Sequence, residues 1–104
     1  MTTKTLNMRR SMMTSRQWQT ICSLPHHMQD SAEKYLTLGQ PPGDFLFNVL
    51  CNDLCRAACN ADNINRQAFG AWSQYLLAIP GQAWGSKESV EKWIKQGGLR
   101  GVMQ

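Results

Sequence analysis

Three cysteines stand at every fourth position of the segment LCNDLCRAACNAD, Leu50 to Asp62. If this segment were one helix, Cys51, Cys55 and Cys59 would form a row about 12 Å long at about 1.5 Å rise per residue. A tetrahedral zinc ion needs its sulfur ligands within about 4 Å of one another, so it cannot take all three. Side chains four residues apart on a helix also run side by side, which does not suit a disulfide. We therefore interpret Cys51 and Cys55 as small apolar residues at a buried helix contact.

Two further kinds of chemistry remain open for the thiols. Two adjacent cysteines could share an ion with Cys22, His26 or His27, but the chain has no second CxxC or HxxxH element to complete such a site. A thiol nucleophile would need a lowered pKa, and no nucleophile motif surrounds any of the four cysteines. His26 and His27 follow Pro25, a position typical of a solvated loop. We predict no metal site, no cofactor, no catalytic residue and no enzymatic activity.

Polar residues and one tryptophan are the candidates for binding a partner. Asn52 and Asp53 lie in the middle of the longest predicted helix, where a carboxylate that faces packing partners needs hydrogen-bond donors. Asp53 therefore either makes a buried structural hydrogen bond to the cap or turn of a neighbouring helix or belongs to a polar patch at a groove. Trp84 stands in the turn AWGS, where it either fills the edge of the core or anchors a partner. Together with Arg56, these residues are our partner-binding candidates.

Charge is distributed unevenly along the chain. Residues 1–16 hold four of the eleven basic residues and none of the seven acidic ones, so residues 17–104 are neutral and the excess of +4 lies at the N-terminal end. We predict a flexible basic tail over residues 1–16 and a single helical domain over residues 17–104. The tail favours an alternative function as a small nucleic-acid-binding regulator, although so few charges give weak, salt-dependent binding. The candidate contacts to nucleic acid are Lys4, Arg9, Arg10 and Arg16.

Apolar residues recur at helical spacing in five segments. The first ends before Pro25, and the second ends at Gly39 before the turn QPPGD. The third runs from Phe45 to Asn60 without glycine or proline, the fourth from Ile64 to Ile79, and the fifth follows Ser86 as its N-cap. No segment alternates as strands do, and no apolar run approaches the roughly 18 residues of a membrane span. We predict an all-α compact bundle of about five short helices.

Two strings, PPGDFLFNVLCNDLCRAACNAD and WGSKESVEKWIKQGGL, resemble the pattern of a family of short proteins encoded by bacteriophages and prophages. The resemblance covers about the last two thirds of the chain, and the basic leader and the cysteines of the central segment depart from it. It implies a bacterial cytoplasm as the location. The residues that carry it are Pro41, Pro42, Gly43, Phe45, Leu46, Val49, Asn52, Asp53, Leu54, Ala57, Ala61, Asp62, Asn65, Trp84, Gly85, Ser86, Val90 and Trp93.

Small size, four tryptophans and the phage resemblance together favour an interaction protein. We expect an accessory protein of a phage or other mobile element that binds and modulates a bacterial host protein, such as a defence or regulatory factor. We expect no membrane association, and the sequence leaves self-association open.

Overall fold

The computed structural model describes residues 9–102, and every regular element within that range is helical. Eight α-helices and one 3-10 helix follow one another, and residues 9–12 are helical as well. The predicted all-α class is confirmed, but the prediction of about five helices is wrong. The elements are α1 (Ser15–Cys22), α2 (His26–Leu38), α3 (Asp44–Leu50), α4 (Leu54–Asn60), α5 (Asn63–Gln67), α6 (Phe69–Ala78), the 3-10 helix (Gly81–Ala83), α7 (Lys87–Gln96) and α8 (Gly98–Val102).

The central helix predicted over Phe45–Asn60 is two helices. Asn52 has a φ of +63°, in the left-handed region, so α3 ends before it. The amide of Asn52 donates to the carbonyl of Val49 at 3.0 Å and the amide of Asp53 to that of Asn48 at 2.9 Å. These two bonds are the pair that satisfies the last carbonyls of a helix when the following residue is left-handed. Asp53 then caps α4, because its side chain accepts from the amide of Arg56.

Two further breaks raise the helix count. The helix predicted over Ile64–Ile79 is divided at Ala68, whose φ and ψ of −104° and 18° end α5 before α6 begins. The last predicted helix ends at Gly97, with a φ of +88°, but Gly98 then begins the short helix α8. Each break is one residue long, so the apolar positions on both sides still point to one core.

The core is built around large aromatic side chains whose polar atoms bind backbone carbonyls. The hydroxyl of Tyr35 donates to Ala83, the hydroxyl of Tyr75 donates to Ala32 at 2.9 Å, and Nε1 of Trp93 donates to Tyr35 at 3.0 Å. Burial raises the pKa of both tyrosines, so both phenols stay neutral. These bonds connect α2, α6, the 3-10 helix and α7 across the middle of the molecule.

Aromatic contacts hold α3 against α6. The ring of Phe45 meets the ring of Trp72 edge-on at 5.4 Å between centroids, and it stacks on Phe69 at 6.3 Å. On its other side Trp72 meets Tyr75 edge-on at 5.8 Å. Such pairs add to the stabilisation that comes from burying the rings. They fix the distance between the two elements that form the candidate site.

The described part of the predicted tail, residues 9–16, includes buried side chains. Arg9 is 4 % exposed, and its Nε lies 2.7 and 2.8 Å from the two carboxylate oxygens of Glu33 on α2. Met13 is buried, and Thr14 caps α1 by accepting from the amide of Gln17. Residues 9–16 therefore contribute at least Arg9 and Met13 to the packed part of the chain, while residues 1–8 of the predicted tail lie outside the described residues. Across residues 9–102, no helix has the length and apolar content of a membrane span.

Candidate functional site

A groove lies between the turn that joins α3 to α4 and one side of α6. Its volume is about 130 Å³. A cavity of about 150 Å³ lined by apolar side chains holds a benzene molecule, so this groove has room for one large apolar side chain. We call it the α3–α6 groove. It is lined by Val49, Asn52, Asp53, Leu54, Ala57, Phe69, Trp72, Ser73 and Leu76.

The floor of the groove is buried and packed against aromatic rings. Trp72 and Ala57 are each 2 % exposed, and Val49 is buried beside them. Trp72 is held by rings on two sides, as described above. Its indole N–H has no hydrogen-bond acceptor among the described residues. Since an unsatisfied buried donor is costly, this indole is an unusual feature of the floor.

Exposed leucines form the rim of the groove. Leu54, the first residue of α4, is 68 % exposed, and Leu76 on the opposite wall is half-buried. Leu77 is 63 % exposed and lies one helical turn beyond Ser73, so it extends the same side of α6. Single exposed leucines are ordinary, but leucines beside an apolar groove form a patch of the kind that marks interaction sites.

The mouth of the groove is polar but carries no net charge. Asn52 is exposed, and Asp53 is partly exposed at the N-terminus of α4. One carboxylate oxygen of Asp53 accepts from the amide of Arg56 at 3.1 Å, and the other lies 3.5 Å from the guanidinium Nε of the same arginine. The buried hydrogen bond to a neighbouring helix, one of our two interpretations of Asp53, is therefore wrong, because Asp53 caps its own helix. The other interpretation placed it at a groove, which is where it lies.

The four partner-binding candidates do not share one site. Asn52 and Asp53 line the α3–α6 groove, and Arg56 adjoins it through its ion pair with Asp53. Trp84 does not line the groove; it is half-buried and packs against the core. Next to it, the amide of Gly85 donates to the carbonyl of Leu50 at 2.7 Å. This placement agrees with the interpretation of Trp84 as a residue that fills the edge of the core.

The thiols are less buried than we predicted. Cys55 and Cys59 are exposed and Cys51 is half-buried, so the prediction of Cys51 and Cys55 at a buried contact is wrong for Cys55. The cause is the break at Asn52, which places Cys51 and Cys55 in different segments. Burial raises the pKa of the Cys51 thiol, with a smaller opposing effect from Lys87. Within residues 9–102, no three histidine, cysteine or acidic side chains lie close enough together to hold a metal ion.

The histidines are exposed, as expected, but the prediction of a loop is wrong because both lie in the first turn of α2. Nε2 of His27 is 2.9 Å from a carboxylate oxygen of Asp62, which caps α5. The hydrogen bond from the amide of Asn65 to Asp62, together with His27, lowers the pKa of the Asp62 carboxyl. This contact connects the start of α2 to the start of α5.

The basic candidates for nucleic-acid contact are dispersed. Arg9 is buried against Glu33, and the guanidinium of Arg10 lies 4.9 Å from the ring centroid of Trp18. Arg16 is exposed on α1, and Lys4 lies outside the described residues. Two of the four side chains are therefore engaged within the chain itself.

Several groove residues were assigned by the sequence to the core alone. Phe69, Trp72 and Leu76 are apolar residues of the predicted helix Ile64–Ile79, and Leu54 is an apolar residue of the predicted helix Phe45–Asn60. The triplet Asn52-Asp53-Leu54 is the sequence signal that could have indicated the rim. Asparagine tolerates a left-handed conformation and aspartate is a good N-cap, so the triplet is compatible with a helix break that places Leu54 at the start of a new helix. Comparison of the chain with family models, with curated proteins and with solved structures gave no match.

Proposed function

We propose that this protein is an interaction module that receives an apolar side chain of a protein partner in the α3–α6 groove. The observation that carries the proposal is the groove itself, with its buried aromatic floor and its exposed leucine rim. Leu54 and Leu77 are each more than 60 % exposed, so a partner seated there would remove substantial apolar surface from water.

The size and charge of the groove define the partner's chemistry. A groove of about 130 Å³ suits one leucine, methionine or phenylalanine side chain. Because Asp53 pairs with Arg56, the mouth offers little net attraction to a charged ligand. An amphipathic helix with an apolar anchor has the matching features, since such helices place their apolar face in hydrophobic grooves.

We propose binding in preference to catalysis at this site. The polar side chains of the groove are Asn52, Asp53 and Ser73. The carboxylate of Asp53 is already engaged by the amide and the guanidinium of Arg56. The groove therefore lacks an available general base, whereas its apolar floor and rim suit recognition of a side chain.

The resemblance to phage and prophage proteins suggests where the partner is found. We propose a bacterial host protein in the cytoplasm, such as a defence or regulatory factor, whose activity changes when the module binds. The charge-neutral groove also distinguishes this proposal from nucleic-acid binding, which requires clustered basic side chains.

Two matched substitutions test the proposal. Leu54 and Ile64 are 68 % and 60 % exposed, each lies in the first turn of a short helix, and each helix is capped by an aspartate. A glutamate at either position is compatible with the helix because a negative charge near the N-terminus is favourable. Leu54 lines the groove and Ile64 does not. Leu54→Glu should therefore weaken binding strongly, while Ile64→Glu should preserve it.

The assay is quantitative mass spectrometry of proteins captured from bacterial lysate by the wild type and the two variants. We expect a stoichiometric bacterial protein that is lost with Leu54→Glu and retained with Ile64→Glu, and that rebinds when purified. Equal capture by both variants would contradict the proposal, and so would capture of a second copy of this chain alone. Circular dichroism of the variants verifies that both remain folded.

A further inference from the structure

Cys55 and Cys59 are a pair of exposed thiols on one helix, outside the α3–α6 groove. Both belong to α4, where they are four residues apart and lie on the same side of the helix. We infer that these two sulfurs form a two-coordinate site for a soft monovalent ion, Cu(I) being the natural candidate. This inference does not depend on the proposed function.

The spacing of the pair suits a linear metal bridge. Side chains at this spacing have Cβ atoms about 5–6 Å apart. Two-coordinate Cu(I)–sulfur bonds are slightly shorter than the roughly 2.3 Å of zinc–thiolate bonds, so a linear bridge places its sulfurs somewhat less than about 4.6 Å apart. Rotation about the two Cα–Cβ bonds can supply this separation without backbone movement. A disulfide requires sulfurs at about 2.0 Å, which this geometry does not favour.

The number of ligands selects the kind of ion. Within residues 9–102 no third cysteine, histidine or carboxylate completes a cluster with this pair. Structural zinc takes four ligands, so the pair does not match it. Soft thiolate ligands select Cu(I), and two of them satisfy an ion that accepts linear coordination.

The charges around the pair suit the complex that would form. Each thiol loses one proton to water, so one Cu(I) and two neutral thiols give an anionic bis-thiolate complex and two protons. Arg56 follows Cys55 directly, and its guanidinium is on the same helix. The guanidinium of Arg66 lies 3.5 and 3.1 Å from the carbonyl oxygens of Ala58 and Ala61, which flank Cys59. Arg56 pairs with the adjacent carboxylate of Asp53 and adds little net charge, so the attraction to the anion comes mainly from Arg66.

The other two cysteines are placed differently. Cys51 precedes the break at Asn52 and is half-buried, and burial raises the pKa of its thiol. Cys22 is exposed at the end of α1, on a different element. Neither shares a helix with another cysteine, so each would contribute one sulfur alone.

The test is anaerobic titration of the reduced full chain with Cu(I) in competition with a chromophoric Cu(I) chelator, with native mass spectrometry to count ions. We expect one Cu(I) per chain, bound by the monomer. Cys55→Ser and Cys59→Ser should each weaken this binding at least tenfold, while Cys22→Ser and Cys51→Ser should leave it unchanged. Because residues 55 and 59 are exposed, serine at either position should preserve the fold.

A variant with the same number of thiols tests whether Cu(I) binding depends on the spacing of the two cysteines or only on how many cysteines the chain has. The double change Cys59→Ser with Asn60→Cys moves one sulfur about 100° around the helix and should bind as weakly as Cys59→Ser alone. Undiminished binding by this double variant would overturn the inference. So would equal weakening by all four serine variants, or an ion held only between two chains.

Discussion

The left-handed residue at the top of the α3–α6 groove provides a sharp test of the structure. Asn52 has a φ of +63° and is exposed, and its side chain makes no hydrogen bond to the residues that the structure describes, so substitutions there act mainly through the backbone. We compare Asn52→Gly with Asn52→Ala. In the left-handed region an alanine costs about 1–2 kcal/mol that a glycine does not. The greater entropy of glycine in the unfolded chain lowers the stability of Asn52→Gly by about 0.5–1 kcal/mol and so reduces that difference.

The structure therefore predicts that Asn52→Gly is more stable than Asn52→Ala by about 1 kcal/mol. If residues 45–60 formed one continuous helix, the order would reverse, because alanine stabilises a helix interior by about 1 kcal/mol over glycine. The stability difference between Asn52→Gly and Asn52→Ala therefore has opposite signs for a broken and for a continuous helix, and the two expected values are about 2 kcal/mol apart. A difference of about 1 kcal/mol corresponds to roughly 4–8 °C in Tm for a domain near this size.

The assay is urea unfolding followed by tryptophan fluorescence, with m-values compared to verify that the unfolding reaction is the same. Gln74, exposed within α6, is the matched control, and there Ala should be more stable than Gly. An Asn52→Ala variant more stable than Asn52→Gly would refute the break between α3 and α4. It would also remove the reason for Leu54 to stand at the groove rim.

Two further predictions concern ion pairs outside the groove. Arg9→Met should destabilise the domain by about 3 kcal/mol or more, because it leaves the buried carboxylate of Glu33 without its cation. Urea unfolding measures this loss of stability. An unchanged unfolding midpoint would contradict the packing of residue 9. The amide of Asn65 and His27 hold the pKa of Asp62 below its ordinary value of 3.8. The stabilisation from Asp62 is therefore complete above about pH 4 and is lost as the pH falls through the lowered pKa. Asp62→Asn should flatten the acid limb of a stability profile against pH, and an identical acid limb in the variant would count against this contact.

Local signals in the sequence were sufficient for the last long helix. Ser86 accepts from the amide of Ser89, as an N-cap should, and Gly97 ends α7 with a positive φ. Val90 and Trp93 form the buried stripe that their spacing predicts. The cap, the apolar spacing and the terminating glycine all lie within one short segment, so the sequence alone was enough to predict this helix and both of its ends.

In the central segment, apolar spacing alone led to the wrong prediction of one continuous helix. Leu50 and Ala57 both face the core, and their spacing hides a break that depends on the φ of one asparagine between them. The expectation for Cys55 failed with it, because that cysteine was placed by continuing α3. The spacing of apolar residues indicates which residues face the core, but it does not show where one helix ends and the next begins.

The candidate site was predictable only in part. A polar patch at a groove was one of two interpretations of Asn52 and Asp53, and both residues line a groove in the structure. The opposite wall comes from α6, about twenty residues further along the chain. Its position depends on the contacts of Phe45 with Phe69 and Trp72, which are tertiary. No local pattern specifies which apolar face of α6 remains open.

The most direct test of the account is the affinity of the purified partner for Leu54→Glu compared with Ile64→Glu. Burying a leucine is worth about 1.5–3 kcal/mol, and a glutamate would have to be desolvated in its place. If the α3–α6 groove is the binding surface, Leu54→Glu weakens the affinity at least about tenfold, since about 1.4 kcal/mol corresponds to that factor. Ile64→Glu, at a similarly exposed residue away from the groove, should leave it within about twofold. Equal affinities for the two variants would contradict the groove as the binding surface.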